Sequence, residues 1–67
     1  MATDLNAQNL RRDAIVRILR LGAVGRQAEL VELLHREGFD ATQSSVSRDL
    51  RELGVVKGAD RYLLPAA

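Results

Sequence analysis

A row of small polar side chains follows one side of the segment TQSSVSRDLREL, residues 42–53. Val46, Leu50 and Leu53 recur at the spacing of one face of a helix. At about 100° per residue, Ser44 and Arg48 then point almost directly away from that apolar face. The segment therefore predicts a helix that buries a narrow apolar stripe and leaves a polar face, rich in hydroxyl groups and carrying a guanidinium, in water.

The groups on this polar face match the edges of DNA base pairs. The major groove admits a helix, and arginine pairs with guanine in two hydrogen bonds as glutamine does with adenine. The N-terminal residues of such a helix are the ones that reach the bases, and its first backbone N–H groups can hold a phosphate. We expect base reading by Gln43, Ser44, Ser47 and Arg48. We expect contacts to the DNA backbone from Thr42, Ser45 and Arg51, and from Lys57 and Arg61 further along the chain.

Each of these residues also has a simpler interpretation. Thr42 and the early serines suit a helix N-cap, and Arg48 has Glu52 four positions later as an ion-pair partner. Lys57 and Arg61 are equally typical of a solvated hairpin end. Ser47 favours the DNA interpretation, because a serine beyond the first turn brings no capping benefit.

Two further helices and a hairpin are predicted to position this segment. The helices are expected at about 7–21, 26–37 and 43–53, the first beginning after Asn6 as N-cap. Two short strands, about 55–57 and 61–64, flank a Gly-Ala-Asp turn, and Val24 is expected to pair briefly with a strand. The fold class is therefore mainly α with a small β-hairpin: a single winged helix-turn-helix domain over residues 1–67, with three helices and a two-stranded wing.

Composition excludes several other classes of protein. The 67 residues contain no cysteine and only two aromatic residues, so zinc fingers, thiol catalysis and a base-stacking platform are excluded. No apolar run is long enough to cross a membrane, and a cytoplasmic location is expected. His35 has no second histidine or cysteine to share a metal with, and is interpreted as a surface or boundary residue. Without a paired nucleophile and base or a phosphate loop, we reject an enzyme and expect no cofactor or metal in this chain.

Charge is unevenly distributed although the net charge is only +1. Residues 8–25 and 41–67 are net basic, whereas residues 26–40 are net acidic. A fold that brings the two basic segments to one face would produce a basic surface, as binding to a polyanion requires.

The run TQSSVSRDLRELGVVK resembles the signature of bacterial arginine repressors, in which T-Q-x-x-V-S-R-D opens the recognition helix. QAELVELLHREGFDATQ is similar to that family's second helix and turn, and RYLLP to its closing strand. The resemblance covers about residues 10–65. Two departures are a Gly-Arg-Gln start to the second helix, which lacks the usual serine cap, and a short wing.

The resemblance implies a repressor of arginine metabolism genes that binds double-stranded, palindromic, A/T-rich operators through its winged helix. The family's base-reading Ser-Arg pair falls on Ser47 and Arg48, its first glutamine on Gln43, and its small polar pair on Ser44 and Ser45. L-arginine is implied as co-repressor, and a homo-hexamer as the assembly, of a full-length member. Both belong to a C-terminal domain expected to be absent here, so we expect this chain to be monomeric. The alternative function is a winged helix that binds another protein.

Overall fold

Three helices and an antiparallel hairpin make up the fold. The structure is a computed structural model that describes residues 3–65. The helices are α1 (Thr3–Leu21), α2 (Gln27–Arg36) and α3 (Gln43–Leu53), followed by strands β1 (Val56–Lys57) and β2 (Tyr62–Leu63). This arrangement confirms the predicted fold class, a winged helix-turn-helix of the α+β type.

The first helix begins earlier than predicted. Asn6 lies inside α1 rather than at its N-cap, because the helix is already formed at Thr3. The reason is the uninterrupted helix-compatible sequence from residue 3 to residue 21, which contains neither glycine nor proline. The end of the helix agrees with the prediction, since Gly22 follows Leu21 and donates its N–H to the carbonyl of Ile18 at 3.1 Å.

The second helix is one residue shorter at each end than predicted, because Arg26 and Glu37 are its caps. Arg26 has an extended backbone and forms no side-chain capping hydrogen bond, as the missing serine predicted. At the other end Gly38 has a φ of +89°, and the N–H of Phe39 bonds to the carbonyl of Leu34 at 3.0 Å. This pair of features is a Schellman motif, which satisfies the last carbonyls and turns the chain toward α3.

A single apolar core holds α3 on the other two helices. Its fully buried members come from all three helices: Ile15 from α1, Leu30 and Leu34 from α2, and Val46 from α3. Leu50 is also buried and Leu53 partly so, which confirms the narrow apolar face predicted for α3. The remaining faces of α3 are free to carry function.

The wing pairs Val56 with Leu63 and Lys57 with Tyr62. Its strands are shorter than predicted because main-chain groups of the residues next to them form hydrogen bonds outside the strand pairing. The N–H of Val55 bonds to the carbonyl of Leu50 at the end of α3, and the N–H of Gly58 bonds to the carbonyl of Arg61 across the turn.

The connector between α1 and α2 lies directly against the wing. The N–H of Tyr62 donates to the carbonyl of Val24 at 2.8 Å, which confirms the brief pairing predicted for Val24. Beside it, a Cβ added to Gly25 would lie 2.5 Å from the carbonyl oxygen of Asp60. The glycine therefore permits an approach that no other residue allows, and the wing is attached to the helical part of the fold at this point.

Within residues 3–65, no helix is long and apolar enough to span a bilayer.

Candidate nucleic-acid interface

The N-terminus of α3 is closed by a reciprocal pair of hydrogen bonds. The hydroxyl of Thr42 accepts from the N–H of Ser45 at 3.1 Å, and the hydroxyl of Ser45 accepts from the N–H of Thr42 at 3.0 Å. This is a capping box formed with serine in place of the usual glutamate. The capping interpretation of these two residues is therefore correct, and a contact of either with DNA stays a prediction.

The solvent side of α3 carries the predicted base-reading residues together. Gln43, Ser44 and Arg48 are exposed and Ser47 is half-buried. These four line one shallow open groove with Arg51 and Gln27. The fold thus gathers into a single surface the polar side chains that the helical period placed on one face.

Among residues 6–65, whose side chains the structure describes, Arg48 makes no ion pair. The alternative interpretation was an ion pair between Arg48 and Glu52. The structure does not contain this pair, although the spacing of the two residues would permit it. A guanidinium left free in this position keeps all its N–H donors for a ligand.

Gln27 is a member of this surface that the sequence did not predict. Its side-chain amide donates to the main-chain carbonyl of Gln43 at 2.7 Å. The contact joins the first residue of α2 to the first residue of α3 across the turn. A glutamine at the start of the second helix was the available signal, but a separation of 16 residues hides the contact from any periodicity.

A buried aspartate, Asp49, ties α3 to α1. Its carboxylate is fully buried and accepts hydrogen bonds from Nε and Nη2 of Arg11, the latter at 3.0 Å, and from Nε of Arg12 at 2.9 Å. The hydrogen bond to Asp49 raises the pKa of Arg11 above its ordinary value. The cluster satisfies the buried carboxylate, which would otherwise be very costly to desolvate.

Two weak signs of this cluster are present in the sequence. Asp49 follows Val46 by three positions and precedes Leu50, so it adjoins the apolar face, and Arg11-Arg12 is an adjacent pair of cations. The two basic segments do meet, which is the condition under which the charge pattern would produce a basic surface. Part of their charge is neutralised at the contact, however, since one carboxylate faces two guanidinium groups.

The cations of the wing are both exposed but differ in their surroundings. Nζ of Lys57 lies 5.5 Å from the centre of the Tyr62 ring, which places it across the hairpin from that residue. Nε of Arg61 lies 3.7 Å from a carboxylate oxygen of its neighbour Asp60. Lys57 therefore offers the less compensated positive charge of the two.

His35, in the last turn of α2, contacts the turn that leads to α3. It is exposed, and its Nε2 lies 2.5 Å from the carbonyl oxygen of Ala41, just before α3. Among the residues that the structure describes, no group of three or more acidic or histidine side chains is placed to hold a metal ion.

The fold and its polar third helix define the class of this protein: a winged helix-turn-helix domain of the kind that binds DNA. Comparison with known proteins then gives the family. The family model described as "Arginine repressor, DNA binding domain" matches residues 6–66. The chain belongs to the arginine repressor family, and it corresponds to that family's DNA-binding domain.

Individual relatives agree with this assignment. The chain is 50% identical over 62 residues to the arginine repressor of Thermus thermophilus, covering 85% of this chain and 38% of that protein. It is 47% identical over 60 residues to the arginine repressor of Bacteroides thetaiotaomicron, covering 82% and 38% respectively. For the arginine repressor of Desulforudis audaxviator the identity is 42% over 59 residues, covering 82% and 39%. The aligned region thus spans less than two fifths of the length of these relatives.

Proposed function

We propose that this chain binds operator DNA as part of a transcriptional repressor of arginine metabolism genes. In the proposed complex α3 lies in the major groove of one half-site of a palindromic, A/T-rich operator. The observation that carries the proposal is the free guanidinium of Arg48, exposed beside Gln43 and Ser44 on a helix whose other side is fixed in the core.

Base reading is assigned to the residues whose side chains line the outer groove of α3. Arg48 suits the O6 and N7 acceptors of guanine, and the amide of Gln43 suits the N6 and N7 groups of adenine. The hydroxyls of Ser44 and Ser47 are short, so they let the helix backbone approach the base edges closely. Gln27 supports this surface from α2, because its hydrogen bond fixes the first residue of α3.

Contacts to the DNA backbone are assigned to the edges of the same surface. Arg51 continues along α3, and Lys57 and Arg61 project from the wing. The side chains of Thr42 and Ser45 cap the helix, and we propose that they hold a phosphate at the same helix end. Such contacts give affinity without sequence preference, and they make binding sensitive to salt.

Regulation by L-arginine and assembly into a homo-hexamer are proposed for the whole protein, in the cytoplasm, rather than for these 67 residues. We propose that this chain by itself is a monomer that does not bind L-arginine. Added L-arginine should then leave its amide NMR spectrum unchanged, whereas saturable shifts would contradict the proposal.

A protein-binding role is the alternative, and one observation bears on it. Val56 and Leu63 are paired across the wing and are 59% and 46% exposed. The apolar area that this pair exposes is far smaller than the several hundred Å² typical of an interaction patch. The surface of α3, in contrast, is polar and cationic, so the DNA-binding function is favoured.

The test is an NMR titration of the chain with a duplex that carries one arginine operator half-site, compared with a scrambled duplex of equal length. We expect weak binding, because one domain makes few phosphate contacts and lacks a linked second half-site. The operator should shift the amides of residues 43–51 at lower concentration than the scrambled duplex does. Equal responses to both duplexes would contradict operator recognition.

A further inference from the structure

A second depression lies on the α1 side of α3, next to the proposed base-reading groove. The described side chains that line it are two cations and four uncharged polar groups: Gln8, Arg11, Thr42, Ser44, Ser45 and Arg48. We call it the α1–α3 depression. It shares Ser44 and Arg48 with the outer groove, so the two surfaces are continuous around the N-terminal half of α3.

Arg11 is held in this depression before any ligand arrives. Asp49 binds it through Nε and Nη2, and its side chain is only 14% exposed. Nη1 takes no part in these two contacts and keeps its N–H donors. A guanidinium already fixed in place loses less conformational entropy on binding than a free surface arginine does.

The charge around the depression is positive in spite of the buried carboxylate. Asp49 neutralises one of its two arginine partners, so the cluster of Arg11, Arg12 and Asp49 keeps one net positive charge. Arg48 adds a second from the recognition helix and has no ion pair within the described part of the chain. An anion with several acceptor oxygens is the ligand that the free N–H donors of the Arg11 guanidinium select, and the positive charge of Arg48 nearby favours such an anion.

We propose that the α1–α3 depression binds one phosphodiester of the DNA backbone, on the strand that borders the base pairs read by α3. Arg11 is its principal donor, from Nη1, and the amide of Gln8 completes the contact. This site rests on the proposed function and extends it, because it adds α1 to the surface that touches DNA. A phosphate held here fixes how far α3 enters the groove.

Arg11 and Arg12 provide a matched pair of variants. Arg11→Gln and Arg12→Gln each remove one positive charge and one partner of Asp49, but only Arg11 lines the depression. Binding to the half-site duplex and to the scrambled duplex is measured by fluorescence anisotropy at several salt concentrations. Circular dichroism on each variant gives the fraction folded, by which its affinity is corrected.

Arg11→Gln should weaken binding to both duplexes severalfold and equally. It should reduce the slope of log K against log salt by about 0.9, the value for one lost phosphate contact. Arg12→Gln should keep the wild-type slope. Equal slopes for the two variants, whether changed or unchanged, would overturn the proposal, since the cluster would then serve only to hold α1 against α3.

A second pair avoids the buried cluster in case either arginine variant fails to fold. Gln8→Glu puts a carboxylate into the depression, whereas Asn9→Asp adds the same charge at an exposed neighbour outside it. Gln8→Glu should weaken binding to both duplexes more than Asn9→Asp does, because only Gln8 lines the depression. Equal weakening of binding by the two variants would overturn the proposal.

Inorganic phosphate is titrated separately at constant ionic strength. Saturable amide shifts with no difference between the Arg11 and Arg12 slopes would assign the site to a free anion, against the proposal. The proposed function fails independently of this site if the wild-type chain does not distinguish operator from scrambled duplex. The slopes on the scrambled duplex still decide the phosphate site in that case.

Discussion

The side-chain amide of Gln27 donates a hydrogen bond to the main-chain carbonyl of Gln43 at 2.7 Å, and so joins the first residues of α2 and α3. Two helices that pack through a few aliphatic side chains can slide and tilt by small amounts. A directional hydrogen bond at one end of the contact restricts that freedom. The angle at which α3 presents its polar face is therefore set partly by a residue outside the recognition helix.

Replacing Gln27 with alanine should lower both stability and operator affinity. The loss of one hydrogen bond should cost about 1 kcal/mol in the free energy of unfolding, measured with urea. Gln43→Ala is the matched variant, because the bond uses the main chain of Gln43 and survives there. It should keep wild-type stability and still lose operator affinity. Unchanged stability of Gln27→Ala would show that the bond does not hold the two helices together.

Asp49→Ala should be among the most destabilising single changes in α3. It leaves two largely buried guanidinium groups, 14% and 21% exposed, without their common partner. Breaking a buried ion pair from one side typically costs about 3 kcal/mol. Urea unfolding measures the loss, and Glu52→Ala on the exposed side of the same helix should change stability by no more than about 0.5 kcal/mol. Similar values for the two variants would contradict a stabilising role for the cluster.

Gly25→Ala should displace the wing from the helical part of the fold. The added Cβ would meet the carbonyl oxygen of Asp60 at 2.5 Å, and main-chain atoms can give way only if the hairpin moves. We expect a loss of about 1–3 kcal/mol, the usual range for overpacking, and amide shifts over residues 55–65. Gly22→Ala has nothing within 4 Å and serves as the control. Equal, small effects of the two variants would mean that the wing is not attached at Gly25.

Residues that act through local chemistry were predictable from the sequence. Val46 and Leu50 followed from helical spacing, and Gly38 and Gly54 ended their helices with the positive φ expected of them. The prediction of Asn6 as the N-cap of α1 was wrong, because a good capping residue is also tolerated within a helix when the residues before it can form helix as well. A local pattern cannot decide between these two outcomes.

Contacts between helices were not predictable in the same way. Arg11 and Asp49 are 38 positions apart, and their pairing depends on how α1 crosses α3. Whether Arg48 pairs with Glu52 likewise depends on its rotamer in the folded chain, since the spacing of the two residues permits an ion pair but does not require one. The core and the C-terminal ends of the helices could thus be predicted from the sequence, whereas the contacts that support the candidate site needed the structure.

Lys57→Ala should weaken binding to every duplex without altering sequence preference. Its exposed ammonium group has no carboxylate partner among the side chains of residues 6–65, so it is available for a phosphate. Losing that contact should reduce the salt slope by about 1. Arg36→Ala removes the same charge at the C-terminal end of α2, where Arg36 pairs with Glu32. This control variant should leave the salt slope unchanged. A wild-type slope for Lys57→Ala would argue against a backbone contact by the wing.

Arg48 is the residue on which the proposed recognition depends most. The decisive measurement compares Arg48→Ala with the wild-type chain for affinity to the operator half-site duplex and to the scrambled duplex, by anisotropy at low salt. Arg51→Ala, on the same helix but assigned to the backbone, should weaken both duplexes equally. We predict that Arg48→Ala loses about 1–3 kcal/mol of discrimination, chiefly through weaker operator binding. Equal weakening of both duplexes by Arg48→Ala would contradict base reading by this residue.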